Sequence, residues 1–148
     1  MLDAIDHKIL NILQRDGRTK RNVIAEHVGL SLPSLSERLN KLEEHKIIEG
    51  YYARVNRKPF GFDLMAFITV YMKSSKKFHE LEEHVSSTPE ILECHSILGE
   101  GSHLLKVLVK NTEELEKLLA TIQAWPGVLR TVTSFVLSTI KETTVINL

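Results

Sequence analysis

Between Val23 and Leu42 two helical apolar patterns are separated by little more than Gly29-Leu30-Ser31, and this spacing constrains the fold more than any other feature. Val23, Ile24, Ala25 and Val28 supply one apolar face of a helix of about ten residues, and Gly29 breaks it. Ser31 then suits an N-cap, with Pro33 in the first turn where a missing N–H costs nothing. Leu35, Leu39 and Leu42 fall at i, i+4 and i+7, a single inward stripe. Upstream, Ile5, Ile9, Leu10, Ile12 and Leu13 predict an amphipathic helix over 6–14, capped by Asp3 or Asp6 and ended by Asp16-Gly17. Three helices follow, the last two joined by a short turn containing glycine: a helix-turn-helix pattern.

The outer face of the third helix carries Ser34, Ser36, Glu37, Arg38, Asn40 and Lys41. Short side chains near its N-terminus suit entry into a major groove, and cations can reach guanine edges or phosphates. Its N-terminal amides also favour phosphate. Ser31, Pro33, Ser34, Ser36, Glu37, Arg38, Asn40, Lys41 and Arg54 are therefore the expected DNA-binding residues, with Ser34, Ser36, Glu37 and Asn40 near bases and Arg38, Lys41 and Arg54 nearer phosphates. The bland alternative is a small structural domain whose polar face is simply solvated. Residues 47–55 predict strand, turn at Glu49-Gly50, and strand, the pattern of a wing. The chain has 19 Lys+Arg against 19 Asp+Glu, yet residues 1–60 hold an excess of three positive charges that 61–148 reverse. Turn-rich Lys58-Pro59-Phe60-Gly61 sets the expected boundary, giving domains 1–60 and 61–148.

The second domain reads as βαββαβ. Strands are expected over 64–72, 91–98, 103–109 and 129–139, with helices over 76–85 and from Asn111 or Thr112 to Ile122, and a possible extra strand over 141–148. That order is the ferredoxin-like sandwich, so the fold class is α+β. Its two helices cover one sheet face. The other, expected to hold Phe67, Thr69, Tyr71, Val107, Val109 or their alternates, needs a partner, and a homodimer is the expectation.

Other chemistry is sparse. One cysteine, Cys94, excludes an internal disulfide and a thiolate metal cluster. The seven histidines lack metal-ligand spacing, and no P-loop, nucleophile elbow or dinucleotide fingerprint occurs. No cofactor or metal is expected, nor enzyme activity. No apolar run approaches the roughly 20 residues of a membrane span, and no secretory leader is legible, so a cytosolic protein is expected. Gly99-Glu100-Gly101-Ser102 between two strands is either a plain hairpin or a turn whose amides and hydroxyl hold a carboxylate.

The ordered set of short motifs resembles the Lrp/AsnC (leucine-responsive, feast/famine) regulators. The likeness runs from Leu2-Asp3 and Asp6 through Asp16-Gly17-Arg18, Gly29-Leu30-Ser31, Arg38-Leu39 and Leu42-Glu43-Glu44. It continues through Ile47-Ile48, Gly50-Tyr51, Gly99-Glu100, Leu104-Leu105-Lys106-Val107 and Pro126-Gly127-Val128. The resemblance implies a winged helix-turn-helix on a regulatory sandwich, dimers that often form octamers, and control by an amino acid or related metabolite. It also implies an effector site between dimers, built from Gly99, Glu100, Gly101 and Ser102 with Thr131 and Thr133. Three positions depart from the family pattern. Ser102 stands for an Asp, Gly101 for an aromatic, and Lys46 for the glycine ending the third helix, so the effector is expected to differ or be absent and the helix end to be strained. Haem-precursor decarboxylases share the fold, which leaves a tetrapyrrole enzyme as one rival reading and a nonspecific DNA-compacting protein as another.

Overall fold

The computed structural model describes all 148 residues and divides them into two compact units, Met1–Val55 with Lys141–Leu148, and Asn56–Ile140. This departs from the expected division at the C-terminal end, because the last eight residues pack with the first unit.

In the first unit α1 (Ala4–Arg15), α2 (Arg21–Val28) and α3 (Leu32–Glu44) enclose Ile9, Leu10, Ile24, Ala25, Leu35, Leu39 and Leu42. Each end is set by local chemistry. Asp3 and Asp6 cap α1 reciprocally, each carboxylate accepting the other's backbone N–H at 2.9 Å. Gly29 closes α2 at φ 73°. Ser31 caps α3, its hydroxyl accepting the Ser34 N–H at 3.3 Å, with Pro33 in the first turn. Beyond the cap residue His45, Lys46 stands at φ 57°, the one non-glycine residue with positive φ. The N–H of Lys46 donates to Glu43 O and that of Ile47 to Leu42 O, a Schellman closure that ordinarily takes glycine.

The expected wing hairpin does not form. Residues 47–55 are extended or bent, and their two halves do not pair with each other. Nor is 141–148 a strand. It is held by side chains of α1: Gln14 Nε2 donates to Ile146 O at 3.0 Å while Ile146 N–H donates to Gln14 Oε1 at 2.8 Å, and Asn11 Nδ2 donates to Leu148 O at 3.3 Å.

The second unit is the ferredoxin-like sandwich. Strands β1 (Leu64–Met72), β2 (Ile91–Ser96), β3 (His103–Val109) and β4 (Val128–Phe135) lie in the antiparallel order β2-β3-β1-β4, with helices α4 (Phe78–Ser86) and α5 (Thr112–Gln123) in the crossovers. β2 and β4 end short of the expected Leu98 and Thr139. Register fixes the faces. Leu64, Ala66 and Ile68 lie opposite Val109, Val107 and Leu105, and all six are buried with Leu81, Leu118, Ile122 and Trp125 of the helical layer. Val107 and Val109 therefore belong to the covered face, and their alternates Leu104, Lys106 and Leu108 share the open face with Phe67, Thr69 and Tyr71. The alternation of β3 reads equally well in either register from sequence, and only pairing with β1 decides it.

Candidate functional site

On α3 the three leucines point inward, which leaves Pro33, Ser34, Glu37, Asn40 and Lys41 exposed and Ser36 and Arg38 on the flanks. Most of the residues expected to face DNA thus lie on one helix, and all three of the cations expected near phosphates are engaged by carboxylates of their own chain. Arg38 Nη1 donates to Asp3 Oδ2 at 2.7 Å and to Asp6 Oδ1 at 2.9 Å, so the two carboxylates that cap α1 also bind the guanidinium of α3. The Asp6 N–H and the Arg38 guanidinium hold the Asp3 carboxyl down at about 2, and the pair of carboxylates raises Arg38 above its ordinary value. Arg38, expected near phosphate, is turned onto its own protein: its charge is neutralised within the unit, and 30% of its side chain remains accessible. Lys41 pairs with Glu37 at 2.8 Å, both well exposed, and this bond draws the Glu37 carboxyl below its usual range. Arg54 is engaged too, with Nη2 at 2.8 Å from Glu142 Oε1.

One residue missed by the sequence reading lies on the same surface. Arg21, the first residue of α2, donates from Nη1 to Ser36 Oγ at 3.2 Å. The readable signal was the run Arg18, Lys20, Arg21 at the head of a short helix; the Asp3/Asp6 contact to Arg38 had none, because 35 and 32 residues separate the partners.

The loop Gly99–Ser102 is a tight reversal. Ile97 N–H donates to Ser102 O at 3.0 Å, and Ser102 N–H and Oγ both donate to Val70 O, at 2.8 and 3.2 Å. Gly99 and Gly101 take φ 120° and 86°. Gly101 is doubly required, since a Cβ there would clash with Thr69 Cγ2. Ser102 Oγ sits 2.9 Å from Nδ1 of His103, a buried imidazole that meets Phe78 edge to face and is pushed below its ordinary pKa by that burial. Glu100 Oε2 accepts from Tyr71 OH at 3.0 Å on the open face, where the Arg130 guanidinium lies 3.7 Å over the Tyr71 ring. Thr131 and Thr133 lie opposite Val70 and Ile68 on the other face, with Thr131 Oγ1 accepting from Gln123 Nε2 at 3.0 Å. Loop and threonines make no hydrogen bond to each other, although Ser102 and Thr131 both neighbour Val70. No group of three or more His, Cys, Asp or Glu side chains is placed to hold a metal ion.

Residues 65–146 match the Lrp/AsnC ligand-binding domain family, and residues 2–49 match the winged helix-turn-helix DNA-binding family. This chain belongs to the Lrp/AsnC family. The HTH-type transcriptional regulator FL11 of Pyrococcus horikoshii is 38% identical over 143 residues, covering 97% of this chain and 94% of that one. A transcriptional regulator of Neisseria meningitidis, solved as a complex with L-methionine, superposes with a TM-score of 0.91 at 34% identity, covering 97% of this chain and 95% of that one. The feast or famine regulatory protein of Mycobacterium tuberculosis, also solved with L-methionine, gives 0.89 at 30% identity, covering 96% of both chains. This Lrp/AsnC chain is accordingly a transcriptional regulator with a DNA-binding and a ligand-binding unit.

Proposed function

We propose that the chain binds specific, pseudo-palindromic duplex DNA as a homo-oligomer and that an amino acid or related metabolite sets its activity or assembly. The observation that carries the DNA half is the exposed face of α3, where Pro33, Ser34, Glu37, Asn40 and Lys41 stand clear while Leu35, Leu39 and Leu42 fill the core. Ser34, Ser36, Glu37 and Asn40 are assigned to the base side. Lys41 and Arg54 can serve phosphates by exchanging exposed protein carboxylates for DNA, a low-cost exchange for surface pairs. Arg38 leaves the contact set. Selection of binding sites from random duplex DNA tests the reading: an enriched palindromic motif supports it, and an unenriched pool would leave a nonspecific DNA binder.

The effector is assigned to Gly99, Glu100, Gly101 and Ser102 of one dimer with Thr131 and Thr133 completing the site across an assembly. The relatives solved with L-methionine support an amino acid as the ligand class. Ser102, already bound to Val70 O and His103, offers a hydroxyl where the family has a carboxylate, which favours a ligand recognised less by its ammonium group. Screening the twenty amino acids by thermal shift checks this, and no shift with any of them would remove the assignment. The open face, with Phe67 36% and Val132 44% exposed, supports a dimer through the sheet. Sedimentation equilibrium reads that directly. The relatives' names support a regulator rather than an enzyme. No helix is long and apolar enough to cross a membrane, and a DNA partner supports a cytosolic location.

A further inference from the structure

We infer that Arg21, steadied by Ser36, is a further phosphate-positioning residue of the helix-turn-helix, beside Lys41 and Arg54, and that Arg38 is an internal lock. The inference rests on α3 facing DNA, as proposed above, and is carried by a census of cations around that helix. Both cations of α3 are matched by carboxylates, Arg38 by Asp3 and Asp6 and Lys41 by Glu37. Arg21 is different. Its guanidinium meets a neutral hydroxyl, Ser36 Oγ at 3.2 Å, and no carboxylate lies within ion-pair distance. The contact holds a full positive charge against the flank of α3 with most of its donors unused. A hydroxyl that tethers a guanidinium fixes its direction without cancelling its charge, which is what recognition of a phosphate beside an inserted helix requires.

The surroundings reinforce the assignment. Arg21 opens α2, whose first turn has no acidic residue and whose N-cap, Lys20, makes no side-chain capping bond. Arg18, Lys20 and Arg21 are all exposed. Positive charge at a helix N-terminus opposes the helix dipole, so this run is unfavourable for the isolated domain and becomes favourable only when an anion arrives. Arg38 shows the opposite design. It bridges the cap of α1 to α3, thereby fixing the angle at which α3 is presented.

Binding of the full-length protein to a mixed-sequence duplex of about three helical turns, titrated across salt, separates these roles, because log affinity falls with log salt by about 0.9 for each phosphate neutralised. Arg21→Ala should flatten the slope by about 0.9 per bound chain without lowering the melting temperature. Arg21→Lys should restore most of the slope. Arg38→Ala should lower the melting temperature and keep the slope of the parent. A parental slope in Arg21→Ala, or a flattened one in Arg38→Ala, would overturn the inference while leaving duplex binding intact. If the parent shows no salt-dependent duplex binding, the DNA reading falls and this assignment falls with it.

Discussion

At the residue scale, the position to change first is Lys46. A Schellman closure places its C′ residue in the left-handed region, where a side chain costs about 1–2 kcal/mol that glycine avoids, offset partly by the extra freedom glycine has when unfolded. Lys46→Gly should therefore stabilise the first unit by about 0.5–1 kcal/mol, read as a rise in its thermal midpoint. Arg38→Ala acts in the other direction. Asp6 is 8% exposed and would keep the N–H of Asp3 but lose its guanidinium, a loss of about 1–2 kcal/mol for a partly accessible charged hydrogen bond. The same cluster gives an acid limb. Asp3 titrates near 2 when folded against an ordinary 3.8, so the unfolded chain takes up the proton first. The stabilisation is complete above about 3.8 and is lost as pH falls toward 2. A melting curve that stays flat between those values would contradict the pairing.

At the scale of elements, α3 was legible because its signals are local: a capping serine, a proline in the first turn and three leucines on one stripe all lie within 12 consecutive residues. The βαββαβ order was legible for the same reason, since alternating apolar runs and turn residues are short-range patterns. The wing was not. Residues 47–55 carry a strand-turn-strand pattern, but alternation states only that segments can pair, and here the two halves stay unpaired. The loop at 99–102 shows a third case, where sequence indicated freedom and the structure shows constraint. At Gly101 an added methyl would meet Thr69 and the Val70 carbonyl at positive φ, whereas at Gly99 it meets nothing. Gly101→Ala should cost about 2–4 kcal/mol, from strain plus overpacking, against about 1–2 kcal/mol for Gly99→Ala. Equal losses in the two variants, measured by denaturant unfolding, would refute the packing argument. His103, next to that loop, links it to pH: burial lowers its folded pKa, so below the ordinary 6.5 the unfolded chain binds the proton more readily. Stability conferred by the neutral imidazole is whole above 6.5 and declines as pH falls toward the lower folded value.

At the scale of the whole molecule, the chain passes between its two units twice, at 55–56 and again at 140–141. The return was invisible in the sequence because it is made by side chains of α1 and the residue Arg54, which grip an extended segment far along the chain without any periodic signature. Its consequence is a testable coupling. Gln14 forms a reciprocal pair with the backbone of Ile146, and Arg54 binds Glu142, so a segment that follows the ligand-binding sheet in sequence is fastened to the helix-turn-helix unit. The individual bonds are exposed and each is worth about 1 kcal/mol or less, yet a tether that is fastened at both ends restricts the unit it closes. Deleting residues 141–148 should lower the stability of the first unit by about 1–2 kcal/mol while the sheet keeps its own. It should also free Arg54 from its carboxylate, steepening the salt dependence of duplex binding. Gln14→Ala should reproduce the stability loss in part and leave the salt dependence at its parental value, because the amide carries no charge. Hydrogen exchange resolves the two units separately. Faster exchange confined to α1, α2 and α3 in the truncated protein is the expected pattern, whereas equal acceleration in β1 and β3 would show that the tail stabilises the sheet rather than the helices.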